Sequence, residues 1–174
     1  MVIATIVTAR MRMPVVLGIT LTLGTFGTGF GRVMPEDSTS ATSPKGITIH
    51  QEVDFTASPG RVYEVLLDSK GFTAFSGRPA TIDQKVGGAF SLFGGHIVGR
   101  NVELIPDQRI VQAWRVVDWP EGVYSIARFK LVAQGLGTHL VFDHTGFPEN
   151  LRDHLASGWE SNYWELLKKY LQRK

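Results

Sequence analysis

Residues 74–126 read AFSGRPATIDQKVGGAFSLFGGHIVGRNVELIPDQRIVQAWRVVDWPEGVYSI, and the punctuation of this stretch decides the fold. Gly87-Gly88, Gly94-Gly95, Pro106-Asp107-Gln108 and Trp119-Pro120-Glu121-Gly122 divide apolar runs of strand length. Turn residues at that spacing are the pattern of an antiparallel sheet. Gly87-Gly88 opens a strand with Phe90 and Leu92 on one face. Gly94-Gly95 makes a tight turn, from which 96–105 pairs back as a hairpin. In 109–117, Ile110, Gln112, Trp114 and Val116 share one side, while Arg109, Ala113 and Arg115 share the other. Two arginines mark solvent, so the first set faces the core.

The flanking sequence extends this sheet and covers it. Ile47, Ile49, Gln51, Val53 and Phe55 alternate with Thr48, His50, Glu52, Asp54 and Thr56, the period of a half-buried strand. Ser58-Pro59 then supplies an N-cap and a first helical residue. Val62, Tyr63, Leu66 and Leu67 come next at helical spacing, predicting a helix over 58–68 and a further helical turn over 70–75. Downstream, 123–133 turns Ser125, Ala127, Phe129 and Leu131 inward. After the turn Gln134-Gly135-Leu136-Gly137, the strand 138–145 does the same with Leu140, Phe142 and His144. From about Pro148 a long helix carries Leu151, Leu155, Trp159, Tyr163, Leu166, Leu167 and Tyr170 at three- and four-residue steps, a stripe broad enough to lie on a curved sheet. The fold class is α+β.

Composition narrows the function. Hydrophobic residues make up 43% of the 174 and charged residues 20%, which excludes a chain disordered throughout. The net charge of +2 hides an asymmetry, because residues 1–33 carry Arg10, Arg12 and Arg32 and no acid. The remaining chain holds fifteen basic and sixteen acidic residues and shows no basic patch that would neutralise phosphates, so no nucleic-acid partner is expected. Residues 13–31 are uncharged and stand after two arginines, as in an export signal or single membrane anchor. Pro14 and five glycines dilute that segment, and Met34 would serve as an ordinary cytoplasmic start. Localisation therefore stays open between export or anchoring through 13–31 and the cytoplasm. Residues 34–46, rich in Pro, Ser and Thr, read as a flexible linker, and the folded domain is expected at 47–174.

Catalytic patterns are absent. Without cysteine there is no thiolate nucleophile or thiolate metal site. His50, His96, His139, His144 and His154 show no His-x-His, no HExxH and no carboxylate at ligand spacing, so no metal is expected. Asp143 and His144 are adjacent and face opposite ways on a strand, and no serine stands in a G-x-S-x-G elbow. No G-x-G-x-x-G opens a helix, so neither a nucleotide nor another cofactor is expected. What the inner faces do carry is polarity, at Gln112 and His144. Such groups either satisfy each other, the backbone or water, or they orient a ligand in an apolar cavity. A cavity between sheet and last helix would be lined by Phe90, Gln112, Trp114, Phe129, Phe142, His144, Trp159 and Tyr163. Trp119, before a proline in a turn, is either a partner contact at a loop tip or a side chain folded over the sheet edge.

The words of this sequence, in their order, resemble one family. Ala74-Phe75, Pro79-Ala80-Thr81, Gly87-Gly88-x-Phe90, Gly99, Glu103-Leu104-Ile105-Pro106, Ile110-Val111, Trp114-Arg115, Trp119-Pro120-Glu121-Gly122, and Gly158-Trp159 with Tyr163-Trp164 are similar to the C-terminal domain of the activator of heat-shock protein 90 ATPase. That family sits in the START-like helix-grip superfamily, and the resemblance spans roughly 47–172. It implies a curved antiparallel sheet wrapped around a long C-terminal helix, and no enzymatic activity. It implies either a protein partner of chaperone type or a small hydrophobic molecule held in the cavity. In the eukaryotic activator a separate N-terminal domain carries much of the chaperone contact, and residues 1–46 do not read as such a domain.

Overall fold

The computed structural model describes residues 47–173, so the candidate signal or anchor and the linker lie outside the described residues. Among the described residues seven strands, β1 (Thr48–Phe55), β2 (Thr81–Ile82), β3 (Ala89–Leu92), β4 (Ile97–Ile105), β5 (Arg109–Val116), β6 (Ser125–Gln134) and β7 (Gly137–Thr145), form one sheet. Its order is β1-β7-β6-β5-β4-β3-β2, with every pair antiparallel. Between β1 and β2 lie helices α1 (Pro59–Leu67) and α2 (Ser69–Ser76). The last helix has three parts: α3 (Arg152–Trp159), a π-helical turn (Glu160–Trp164) and α4 (Glu165–Leu171). A curved sheet gripping this helix makes an α+β helix-grip domain.

Register explains why one face of the sheet is the core. Ile49 pairs with His144, His144 with Ala127, and Ala127 with Gln112, so inward positions line up across the strands. Ile49, Val53, Phe55, Leu140, Phe142, Phe129, Leu131 and Ile110 are all buried along these rows. Gly99 sits opposite both Phe90 and Trp114. A Cβ there would collide with the Phe90 ring and the Ala113 carbonyl, so only glycine lets that ring lie across β4. The strand β2, two residues long, is not apparent in the sequence, since it has no room to alternate.

The helical elements obey their local signals. The Asp68 carboxylate accepts from Gly71 N at 2.6 Å and caps α2, while Gly77 ends that helix in the left-handed region. The C-terminal helix departs from a uniform α-helix at Glu160–Trp164, where Glu165 N–H donates to Glu160 C=O, five residues back. In an α-helix Trp159 and Trp164 would point about 140° apart. The π turn brings both inward, their rings stacked at 5.7 Å and 19°. Gln51 fastens this point to β1, donating to Ala156 C=O at 3.0 Å and accepting from Trp164 Nε1 at 2.7 Å.

Candidate functional site

Between the far part of the sheet and the C-terminal helix lies a cleft of about 310 Å³. The sheet side supplies Ile97, Trp114 and Val116, and the helix supplies Leu155, Gly158, Trp159, Asn162 and Tyr163. Phe93 closes one end, and Arg78, His96 and His154, all exposed, stand at the mouth. The lining is mostly apolar and aromatic, with a few polar groups. Leu155, Gly158, Trp159, Asn162 and Tyr163 share one helix face by three- and four-residue spacing. Gly158 keeps that face low, since a Cβ there would meet nothing nearer than Asn162 Nδ2 at 3.9 Å.

Phe93 holds its place at a conformational cost. Its φ of 54° puts a bulky aromatic residue in the left-handed region, between Leu92 and two positive-φ glycines. That region costs a non-glycine residue about 1–2 kcal/mol and persists only where surroundings enforce it. Here the enforcement is aromatic: the Phe93 ring meets Phe72 at 5.3 Å and Tyr163 at 5.2 Å, both edge-to-face.

Behind the cleft the buried polar groups form a directed chain. Trp159 Nε1–H donates to His144 Nδ1 at 3.0 Å. An indole nitrogen can only donate, so His144 carries its proton on Nε2 and donates to Ser125 Oγ at 2.7 Å. The Ser125 hydroxyl in turn donates to the Trp114 carbonyl at 2.8 Å. His144 is fully buried, and burial pushes its pKa down to about 3, so the ring is neutral. The chain has a serine next to a histidine but not the chemistry of a hydrolase. Histidine Nε2 is the donor, the serine proton is committed to a carbonyl, and a tryptophan N–H stands where a carboxylate would orient the base. Among the described residues no cluster of histidines and carboxylates forms a metal site.

Gln112 and His144 do not bond to each other. Gln112 Nε2 donates to Asn101 Oδ1 at 3.0 Å, and Asn101 Nδ2 donates to Asp83 C=O at 2.9 Å, which ties the 83–88 loop to the sheet. The polarity of both is thus met within the protein. Of the eight residues expected to line a cavity, Trp114, Trp159 and Tyr163 meet in the cleft. Gln112, Phe129 and Tyr163 border a separate void of about 10 Å³, and Phe90, Phe142 and His144 border neither space. Trp119 departs from the picture of an exposed loop tip. It is 7% exposed and meets the Trp114 ring edge-to-face at 5.7 Å. Arg115 holds it there, donating to Trp119 C=O at 2.6 Å and Val117 C=O at 3.0 Å.

Sequence patterns miss Phe93 and the mouth residues. They come from turns and from the polar edge of the helix, and only a three-dimensional arrangement joins them. The spacing of Leu155, Gly158 and Asn162 with Trp159 and Tyr163 is the signal that could have found the helix side.

The sequence model for "Activator of Hsp90 ATPase homolog 1-like protein" matches residues 56–172. The chain belongs to that family. Among family members, the human activator of 90 kDa heat shock protein ATPase homolog 1 is 28% identical over 79% of this chain. The Dictyostelium discoideum homolog is 32% identical over 76%. The chain spans 42% and 35% of those two proteins, less than half of either. A crystal structure of an HSP90 activator from Plasmodium falciparum superposes with a TM-score of 0.69 at 27% identity. That match covers 72% of this chain and 96% of the crystallised one, so the family domain here is co-extensive with it.

Proposed function

We propose that this domain is a non-enzymatic protein-interaction module of co-chaperone type, acting on an ATP-driven chaperone of the 90-kDa heat-shock class. The observation that carries this reading is the extent of the Plasmodium falciparum activator: 96% of that chain is matched by this domain alone. Chaperone stimulation measured with the full chain tests it. Adding the purified chain to the 90-kDa heat-shock protein of the organism that encodes it should raise ATP turnover and give a co-sedimenting complex. Unchanged turnover with no complex would refute this reading.

A second reading has its own support. The cleft beside the C-terminal helix is of ligand size and largely aromatic, and it is bordered by a residue held in a costly backbone conformation. We infer that it holds a small, mainly apolar molecule. Such a ligand would occupy the helix–sheet seam and leave the convex face to a protein partner, so the two readings are compatible.

A further inference from the structure

The cleft sorts its polar atoms by depth. On the floor, Trp114 Nε1 and Tyr163 Oη are sealed from solvent, and Trp159 Nε1 is turned away toward His144. A molecule lying there meets ring carbon from all three residues, and more carbon from Phe93, Ile97 and Leu155.

The rim is the reverse. Arg78, His96 and His154 are exposed, and they converge from three elements: the loop after α2, the turn before β4, and α3. The backbone beneath two of them is pinned. Ser76 Oγ accepts from Arg78 N–H at 3.2 Å and donates to Arg78 C=O at 3.1 Å. Pro79 C=O accepts from Gly94 N–H at 2.8 Å, which ties this loop to the turn that carries Phe93, and His96 C=O accepts from Val117 N–H at 2.9 Å. The side chains themselves are uncommitted to any acid: among the described residues none of the three enters an ion pair. No carboxylate lines the cleft, and Asp153, beside His154 in the chain, is taken by Arg152 at 2.9 Å. Asn162, the remaining polar side chain of the lining, donates from Nδ2 to Gly158 C=O and Ser161 Oγ.

An arginine stays charged at any physiological pH, and an imidazole keeps at least one N–H donor in either protonation state. Positive charge that the protein leaves unanswered is complementary to an anion, and a guanidinium matches a carboxylate with two parallel hydrogen bonds. At the floor the selection runs the other way, because a polar group placed against sealed rings would lose its water without gaining a partner.

We propose that the cleft binds a small apolar carboxylate, its hydrocarbon body on the floor of Trp114, Trp159 and Tyr163 and its carboxylate at Arg78, His96 and His154. This rests on the second reading above, that the cleft holds a small, mainly apolar molecule, and specifies its chemistry.

The test uses the full chain and three one-ring probes, measured by calorimetry at low salt. They are 4-isopropylbenzoate, its neutral amide, and terephthalate, which puts a second carboxylate where the isopropyl group would sit. The isopropyl acid should bind roughly tenfold tighter than the amide, corresponding to about 1.4 kcal/mol. Terephthalate should bind more weakly than the isopropyl acid by a similar factor. Arg78→Gln should remove most of the acid's advantage and leave the amide unchanged. Gly158→Leu, whose added side chain starts from open space in the cleft, should abolish binding of both. Equal affinity for acid and amide would overturn the proposal and leave the ligand reading standing. Terephthalate binding as tightly as the isopropyl acid would also overturn it, as would full affinity of the acid for Gly158→Leu, because the anion would then rest on surface cations alone. If neither acid nor amide binds, the proposal falls, and failure of the neutral hydrocarbon cumene as well would take the ligand reading with it.

Discussion

Acidification should unfold this domain through one buried ring. His144 is fully buried and its pKa falls to about 3 from an ordinary 6.5, with burial as the cause. The depressed value belongs to a base, so between these two pH values the unfolded chain binds a proton that the folded chain refuses. Stability is therefore complete above the unfolded value of 6.5 and declines as pH falls toward 3. Between pH 7 and pH 5 the loss works out at about 2 kcal/mol. That figure is set by the unfolded-state value, so a shift of a unit in the folded one leaves it unchanged. His50 has the opposite sign, its pKa raised by hydrogen bonds to Asp143 and then Glu52, but it is exposed and present in any variant at position 144. Urea denaturation of the parent and His144→Asn at pH 7 and pH 5 isolates the ring, because exposed groups contribute to both proteins alike. The parent should lose about 2 kcal/mol more than the variant between the two pH values. Equal losses would refute the reasoning. So would a ring NMR titration of the folded protein with a midpoint near 6.

Two further substitutions test the packing. Gly158→Ala adds a methyl group facing the cleft, 3.9 Å from Asn162 Nδ2, and should raise stability by about 1 kcal/mol through helix propensity, seen as a higher urea midpoint. Gln112→Leu leaves the buried Asn101 Oδ1 without its donor and should cost about 1–3 kcal/mol; an unchanged midpoint would mean that another donor replaces it.

Strand periods and turn residues make most of this fold legible before any coordinates. The inward sets on β6 and β7 are buried as their alternation implies, because a period of two leaves no choice of face, whereas on β5 Val116 is only half-buried and Val111 on the other face is buried. Trp164 is not legible, although it is among the most completely buried side chains. It stands five residues from Trp159, out of step with the α-helical stripe, and only the π turn brings the two together. The polar residues Gln112 and His144 are rightly expected inside, but their partners Asn101, Ser125 and Trp159 come from other elements, and sequence spacing does not encode such meetings. Trp119 shows the same limit from the other side. The turn around it is plain, whereas the Arg115 bonds that draw it under Trp114 depend on how that turn closes.

The π turn also makes residue count a structural variable. An extra residue in one turn is a phase shift of about 100° between the upstream and downstream halves of the helix. Here α3 is phased for the cleft and for β1, and α4 for α2, with Leu167 fully buried on that side. Removing the exposed Glu160 or Ser161 would restore the α period and swing Leu167 off the core. The helix is two faces cut at a set angle on one shaft, and chain length, not side-chain chemistry, holds the angle.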